Sequence, residues 1–272
     1  MLFEKIYLKK LYNISTDAWI EITVPYNNDA ILREKSKAII IVPGGCYSSI
    51  SVREGDPVAI EYLKSGFITI VLHYSVKTAY PIPMLELAYA IDYLRNNAEK
   101  YYIDKNKICI IGFSAGGHLT SSYGYLHSLP SFLNLCNLNQ DNIKPNCIVL
   151  SYPVITMGKY THQESMENIT GNKREFIELL SVENNINQSY PPTFIWTTLE
   201  DEFVPYQNSE LLVEKLNEYN IKHEYFLYPH LNHGLAVINP LLYSEEQLKD
   251  IKLNEVSVWL EKSINFINKV LD

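Results

Sequence analysis

Six short segments, residues 38–42, 67–72, 107–111, 147–151, 193–197 and 223–228, are rich in Ile, Val, Phe and Tyr, and most lack polar alternation. A strand with no polar side must be covered on both faces, as parallel strands are when helices pack above and below them. Helical stripes lie between the segments. Leu87, Ala90, Ile91 and Leu94 follow an i, i+3, i+4, i+7 pattern, and Leu212, Leu216 and Tyr219 follow i, i+4, i+7. Val256, Trp259 and Leu260 begin a stripe that runs on through Ile264, Ile267 and Leu271. Each stripe reads as a core-facing helix surface. Strand alternating with helix implies crossover connections, hence an α/β fold with a mostly parallel twisted sheet and helices on both faces. The first 35 residues differ. Residues 6–11 and 19–24 alternate apolar with polar, with Asn13 and Ser15 to Asp17 between them, and read as an antiparallel hairpin on one sheet edge. Added to the six segments, that gives a sheet of about eight strands.

No Pro/Gly/Ser-rich linker divides residues 1–272, so a single domain is expected. Residues 128–144 and 156–192 lack clear periodicity and are too long for plain connections; the second reads as a small lid or pocket-wall insertion. With 23 basic against 31 acidic side chains the net charge is −8, which argues against a nucleic-acid or anionic-membrane partner. Neither an apolar run long enough to span a bilayer nor a signal-peptide pattern is visible. Cys46, Cys109, Cys136 and Cys147 form no C-x-x-C pair, and no His/Cys cluster has zinc spacing. The expectation is a reduced, cytoplasmic setting with no metal or cofactor. The oligomeric state is left open, a homo-oligomer included.

The most informative stretch is Gly112-Phe113-Ser114-Ala115-Gly116-Gly117-His118. Gly112, Ser114 and Gly116 make G-x-S-x-G between an expected strand and an expected helix, the setting in which that pattern forms a nucleophile elbow. A serine on so tight a turn needs small neighbours two positions away. The helix that follows aims its first N–H groups at developing negative charge. The bland alternative is a Gly-rich turn with an N-capping serine.

A serine hydroxyl needs a base within hydrogen-bond reach, and the base needs an acid to orient it. In this elbow architecture the chain order is Ser, then Asp or Glu, then His. His118 and His127 lie on the helix leading away from Ser114, His162 precedes the expected acid, and His223 begins a strand at the wrong end. His230 and His233 remain, and His233 is preferred because Gly234 beside it permits close backbone approach. Between Ser114 and His233 the only aspartates are Asp141, in the wrong loop, and Asp201, after the fifth segment. Glu200 is the rival to Asp201, exchanged with it by a one-residue register error. Segment 38–42 runs into Pro43-Gly44-Gly45-Cys46-Tyr47, whose glycines let the backbone present N–H groups. Gly45 and Cys46, together with Ala115 after the serine, are the candidate oxyanion donors.

Together these residues resemble the α/β-hydrolase superfamily, in its esterase/lipase branch related to hormone-sensitive lipase, and more closely small bacterial acetyl-xylan-esterase-like proteins. The resemblance rests on residues 43–47, 53–59, 112–119, 150–155 and 191–194, then Asp201 with Val204-Pro205 and Asn208-Ser209, and residues 229–234. The branch usually carries His-Gly-Gly-Gly where this chain has Pro43-Gly44-Gly45-Cys46, a change that keeps the backbone N–H groups. The resemblance implies the α/β-hydrolase fold and a serine esterase acting on short acyl groups, acetyl on carbohydrate included, through Ser114, His233 and Asp201. The partner is then a small-molecule ester, such as an acetylated sugar. Rival readings are a catalytically silent ligand-binding homologue and a small peptidase using the same three residues.

Overall fold

The computed structural model describes residues 1–12, 15–25 and 35–272. Its strands are β1 (Leu2–Tyr7), β2 (Trp19–Val24), β3 (Ser36–Val42), β4 (Ile68–His73), β5 (Ile103–Phe113), β6 (Cys147–Ser151), β7 (Thr193–Thr198) and β8 (His223–Tyr228). They form one sheet in the order β1-β2-β4-β3-β5-β6-β7-β8. β2 is antiparallel to both its neighbours, and every pairing from β4 through to β8 is parallel. This is the mixed, mostly parallel sheet that the segment pattern leads one to expect.

Burial accounts for the apolar runs. Along β3, Ile39 and Ile41 join one core cluster with Phe113, Trp196 and Trp259, while Ile40 and Val42 join the other with Leu87, Ile91 and Leu119. A strand that feeds two cores has no position left for a polar residue. β8 departs from the expectation, because five of its residues are only partly buried and Leu227 is exposed. It is the last strand of the sheet, with β7 as its one neighbour.

The N-terminal hairpin sits at the expected edge with a different first strand. Leu2↔Val24 through Tyr7↔Trp19 pair the whole of β2, so residues 8–11 find no partner in it. Leu8 is fully buried and Lys9–Tyr12 forms a helical turn, with the Tyr12 hydroxyl 2.7 Å from Asp92 Oδ2. Asn13, expected between the strands, lies outside the described residues.

The two stretches without periodicity hold short helices. Pro130–Cys136 and Gln140–Ile143 occupy the first. Gln163–Thr170, Arg174–Leu180 and Val182–Asn185 occupy the second. One or two turns are too few to display an apolar stripe. The C-terminal stripe is divided between Ile251–Ser257 and Trp259–Leu271, and Val256, Trp259 and Ile267 still bury into the same core.

Candidate active site

Ser114 occupies the sharp corner between β5 and the helix Ser114–Leu126, at φ 52°. That left-handed conformation is unfavourable for a side chain other than glycine and is held here by the packing around it. A Cβ on Gly116 would lie 2.1 Å from the Val42 carbonyl oxygen, so the elbow can approach β3 only with glycine there. The helix leaves its first N–H groups, including that of Ala115, without intrahelical acceptors.

His233 and Asp201 converge on this corner from two other loops. The Ser114 Oγ lies 2.7 Å from His233 Nε2, and His233 Nδ1 lies 2.6 Å from Asp201 Oδ2. The Asp201 side chain is fully buried, and its other oxygen accepts the N–H groups of Phe203 at 3.0 Å and Val204 at 2.8 Å. With Nδ1–H donated to the carboxylate, Nε2 presents a lone pair to the serine hydroxyl. The rivals pair with each other elsewhere: Glu200 Oε1 is 3.1 Å from His230 Nδ1 at the surface, and that bond lowers the Glu200 pKa.

After β3 the chain turns through Gly45, Cys46 and Tyr47 at φ 123°, 58° and 59°. A Cβ at Gly45 would sit 2.2 Å from the Ser49 carbonyl oxygen. The carbonyls of this turn are occupied. Gly44 O accepts from Ser51 N, Gly45 O from Ser48 and Ser49 N, Cys46 O from Asn168 Nδ2, and Tyr47 O from Lys77 N. The N–H groups of Gly45 and Cys46 meet no acceptor among the described residues, which is the condition a donor needs to bind an oxyanion. Cys46 is half-buried, and burial first, then Glu164, raises the pKa of its thiol. That is the opposite of what a reactive thiolate requires.

Three supporting residues had no role assigned from sequence. Glu54 is buried and accepts from Gly44 N at 2.8 Å and from the Tyr152 hydroxyl at 2.8 Å. The same hydroxyl accepts from Ala236 N at 3.0 Å, and the Tyr152 ring stands edge-on to His233 at 4.8 Å. Glu54 and Tyr152 therefore join the glycine turn to the histidine loop. Burial raises the Glu54 pKa, against its hydrogen bonds and the nearby His233. His118 is the third. It is fully buried, with Nδ1 accepting from the Tyr47 hydroxyl at 2.8 Å and Nε2 donating to Leu180 O at 2.9 Å. Glu54, His118 and Tyr152 all stand inside motifs that carry the resemblance, Tyr152 just after β6, but sequence alone offers no partner for any of them.

Segment 156–192 packs against the glycine turn. Besides Asn168, Glu164 accepts from the Ser48 hydroxyl at 2.8 Å. His162 caps Gln163–Thr170, and burial, then the nearby His233, lowers its pKa. Buried Asn208 ties the segment to the Asp201 side, accepting from Ile155 and Thr156 N and donating to Tyr160 O at 2.8 Å.

The BD-FAE family model matches residues 22–216. The chain belongs to the BD-FAE family. Within BD-FAE it has the α/β-hydrolase fold and is related to acetylxylan esterases and carboxylesterases. It is similar to endo-1,4-beta-xylanase B of Butyrivibrio fibrisolvens, with 33% identity over 231 residues, covering 80% of this chain and 35% of that protein. It is 27% identical over 224 residues to the acetylxylan esterase of Xylanibacter ruminicola, covering 79% of this chain and 44% of the other. The chain thus spans less than half the length of these two curated relatives. A solved structure, the acetyl ester-xyloside bifunctional hydrolase from Caldicellulosiruptor lactoaceticus, matches with a TM-score of 0.77 and 28% identity, covering 97% of each chain.

Proposed function

We propose that this BD-FAE chain hydrolyses short-chain carboxylic esters, acetyl groups on sugars or oligosaccharides among them, through an acyl-enzyme on Ser114. The observation that carries the reading is the unbroken hydrogen-bonded line from Ser114 Oγ to His233 to Asp201, at 2.7 and 2.6 Å. Acetylated xylose as the substrate class is supported by the relatives' names, acetylxylan esterase and acetyl ester-xyloside hydrolase.

Ser114 Oγ attacks the ester carbonyl carbon while its proton passes to His233 Nε2. The carbonyl oxygen takes the negative charge and is met by the N–H groups of Gly45, Cys46 and Ala115. Loss of one such donor typically costs about 3–4 kcal/mol in the transition state. Asp201 stabilises the imidazolium that forms. Collapse breaks the carbon–alkoxy bond, and His233 gives its proton to the departing alcohol. Water then attacks the acyl-enzyme, yields its proton to His233 and releases the carboxylic acid, restoring Ser114.

Replacing Ser114 by Ala tests this directly. Turnover of p-nitrophenyl acetate should fall below a few per cent of wild type, and a fluorophosphonate should label wild type and not the variant. Retained turnover, or labelling at another residue, defeats the reading.

A further inference from the structure

Phe203 is among the most exposed large apolar side chains in the molecule, at 61%, and its ring centroid lies 6.1 Å from that of His233. Its backbone is held firmly. Phe203 N donates to Asp201 Oδ1 at 3.0 Å, Glu202 N donates to Asn232 Oδ1 at 3.1 Å, and the next residue, Val204, is buried. The ring therefore stands in water beside the imidazole on a fixed backbone, with only its two side-chain torsions left to order. Contact with a ligand would demand little further ordering and would remove apolar area from water.

The chemistry says what reaches it. To protonate the leaving group, His233 Nε2 must be within hydrogen-bond distance of the ester's alkoxy oxygen. That oxygen then lies about 4 Å from the imidazole centroid, and the Phe203 centroid lies 6.1 Å from the same point, so a ring-sized group carried on the oxygen can span to Phe203. The other aromatic face on the imidazole is Tyr152, which is buried, so the alcohol cannot extend that way. Around Phe203 the rim is polar and exposed, with Glu202 and Asn232 on the two loops that meet there. A pyranose matches both surfaces, offering an axial C–H face to the ring and hydroxyls to the rim.

We infer that Phe203 is the platform on which the alcohol's sugar ring seats, making it the residue that selects acyl groups carried on pyranosides over those on small alcohols. The inference rests on the ester-hydrolase reading of Ser114. It assigns Phe203 to binding of the alcohol and gives it no part in proton transfer.

The test is the ratio of kcat/KM for mono-acetylated methyl β-D-xylopyranoside to that for methyl acetate, with phenyl acetate as a third substrate. Phe203→Ala should lower the ratio roughly five- to tenfold, through KM for the xyloside, and Phe203→Trp should restore it. A ratio unchanged in Phe203→Ala, including one in which all substrates slow together, overturns the platform; a uniform loss would mean that Phe203 only shields His233. A loss confined to phenyl acetate overturns the sugar in favour of a planar aryl group. If wild type and Ser114→Ala turn over all three esters alike, the ester-hydrolase reading itself has failed, and the platform falls with it.

Discussion

At the scale of single residues, Asp201 and Glu200 show how neighbours of like chemistry come to do different things. Asp201 turns inward, where two backbone N–H groups and His233 use both its oxygens, while Glu200 turns outward to His230. Sequence places both on the loop after β7 and prefers Asp201, with Glu200 as the rival, because a single step along a turn reverses the side-chain direction. Asp201→Asn separates them by experiment. An Asn keeps an acceptor for the turn but offers an N–H to Nδ1, which reverses the imidazole tautomer. In a serine protease the same exchange at the triad aspartate lowers kcat by about 10⁴, and a loss of that order is expected here. Glu200→Gln should leave kcat within about twofold, since an exposed pair contributes little. Steady-state kinetics on p-nitrophenyl acetate with a thermal melt of each variant checks both, and comparable losses in the two variants would contradict the assignment. Glu54 was harder to see. In Arg53-Glu54-Gly55-Asp56 it looks like one more solvated charge, and only the fold reveals that its carboxyl is buried against Gly44 and Tyr152.

At the scale of elements, what could be read in advance were those whose period survives over several turns or whose two faces are both buried. β3, β6 and β7 are legible because each feeds two cores, and Ile82–Asn96 because four apolar residues repeat on one side. β1 lies several residues before the strand expected at 6–11 because an exposed edge strand and an amphipathic turn share the same alternation, and pairing to β2 alone decides between them. The short helices of 156–192 carried no period to read. The joints between elements were least legible, and Tyr152 is the chief of them. It follows β6 at φ 37°, is buried, and connects the Glu54 carboxyl to the backbone of the His233 loop. Tyr152→Phe keeps the ring against His233 and removes only the hydroxyl. Ala236 N and one Glu54 oxygen are then left buried without a partner, a cost of about 1–3 kcal/mol. On the proposed mechanism a loosened His233 loop should also lower kcat more than it alters KM. A urea titration gives the first quantity and initial rates the second. Lost stability with an unchanged kcat would make Tyr152 a packing residue and nothing more.

At the scale of the whole molecule, His118 links three parts that are remote in the chain: the glycine turn through Tyr47, the elbow helix on which it sits, and the 156–192 segment through Leu180. It makes these bonds as a neutral imidazole, one nitrogen accepting and the other donating, and burial lowers its pKa to about 4. His127, also buried, is lowered to about 4 for the same reason. In the unfolded chain a histidine binds its proton near pH 6.5. Between those values the unfolded state therefore holds more protons than the folded one, so stability falls as pH drops from about 6.5 toward 4. From pH 7 to 5 the loss is about 2 kcal/mol for each such group. Glu54, Glu86 and Glu183, all raised by burial, act in the opposite sense, because they hold protons in the folded state at a pH where the unfolded chain has released them. The wild-type profile is the sum of both kinds, so the His118 contribution has to be read by difference. His118→Gln keeps an amide able to bond in both directions and removes the titration. Its urea midpoint should be lower than that of wild type at pH 7, where the imidazole fits best, and should decline less between pH 7 and pH 5. Parallel profiles would mean that acid weakens this fold elsewhere, and that the junction of glycine turn, elbow and 156–192 segment is insensitive to the proton that His118 is arranged to exclude.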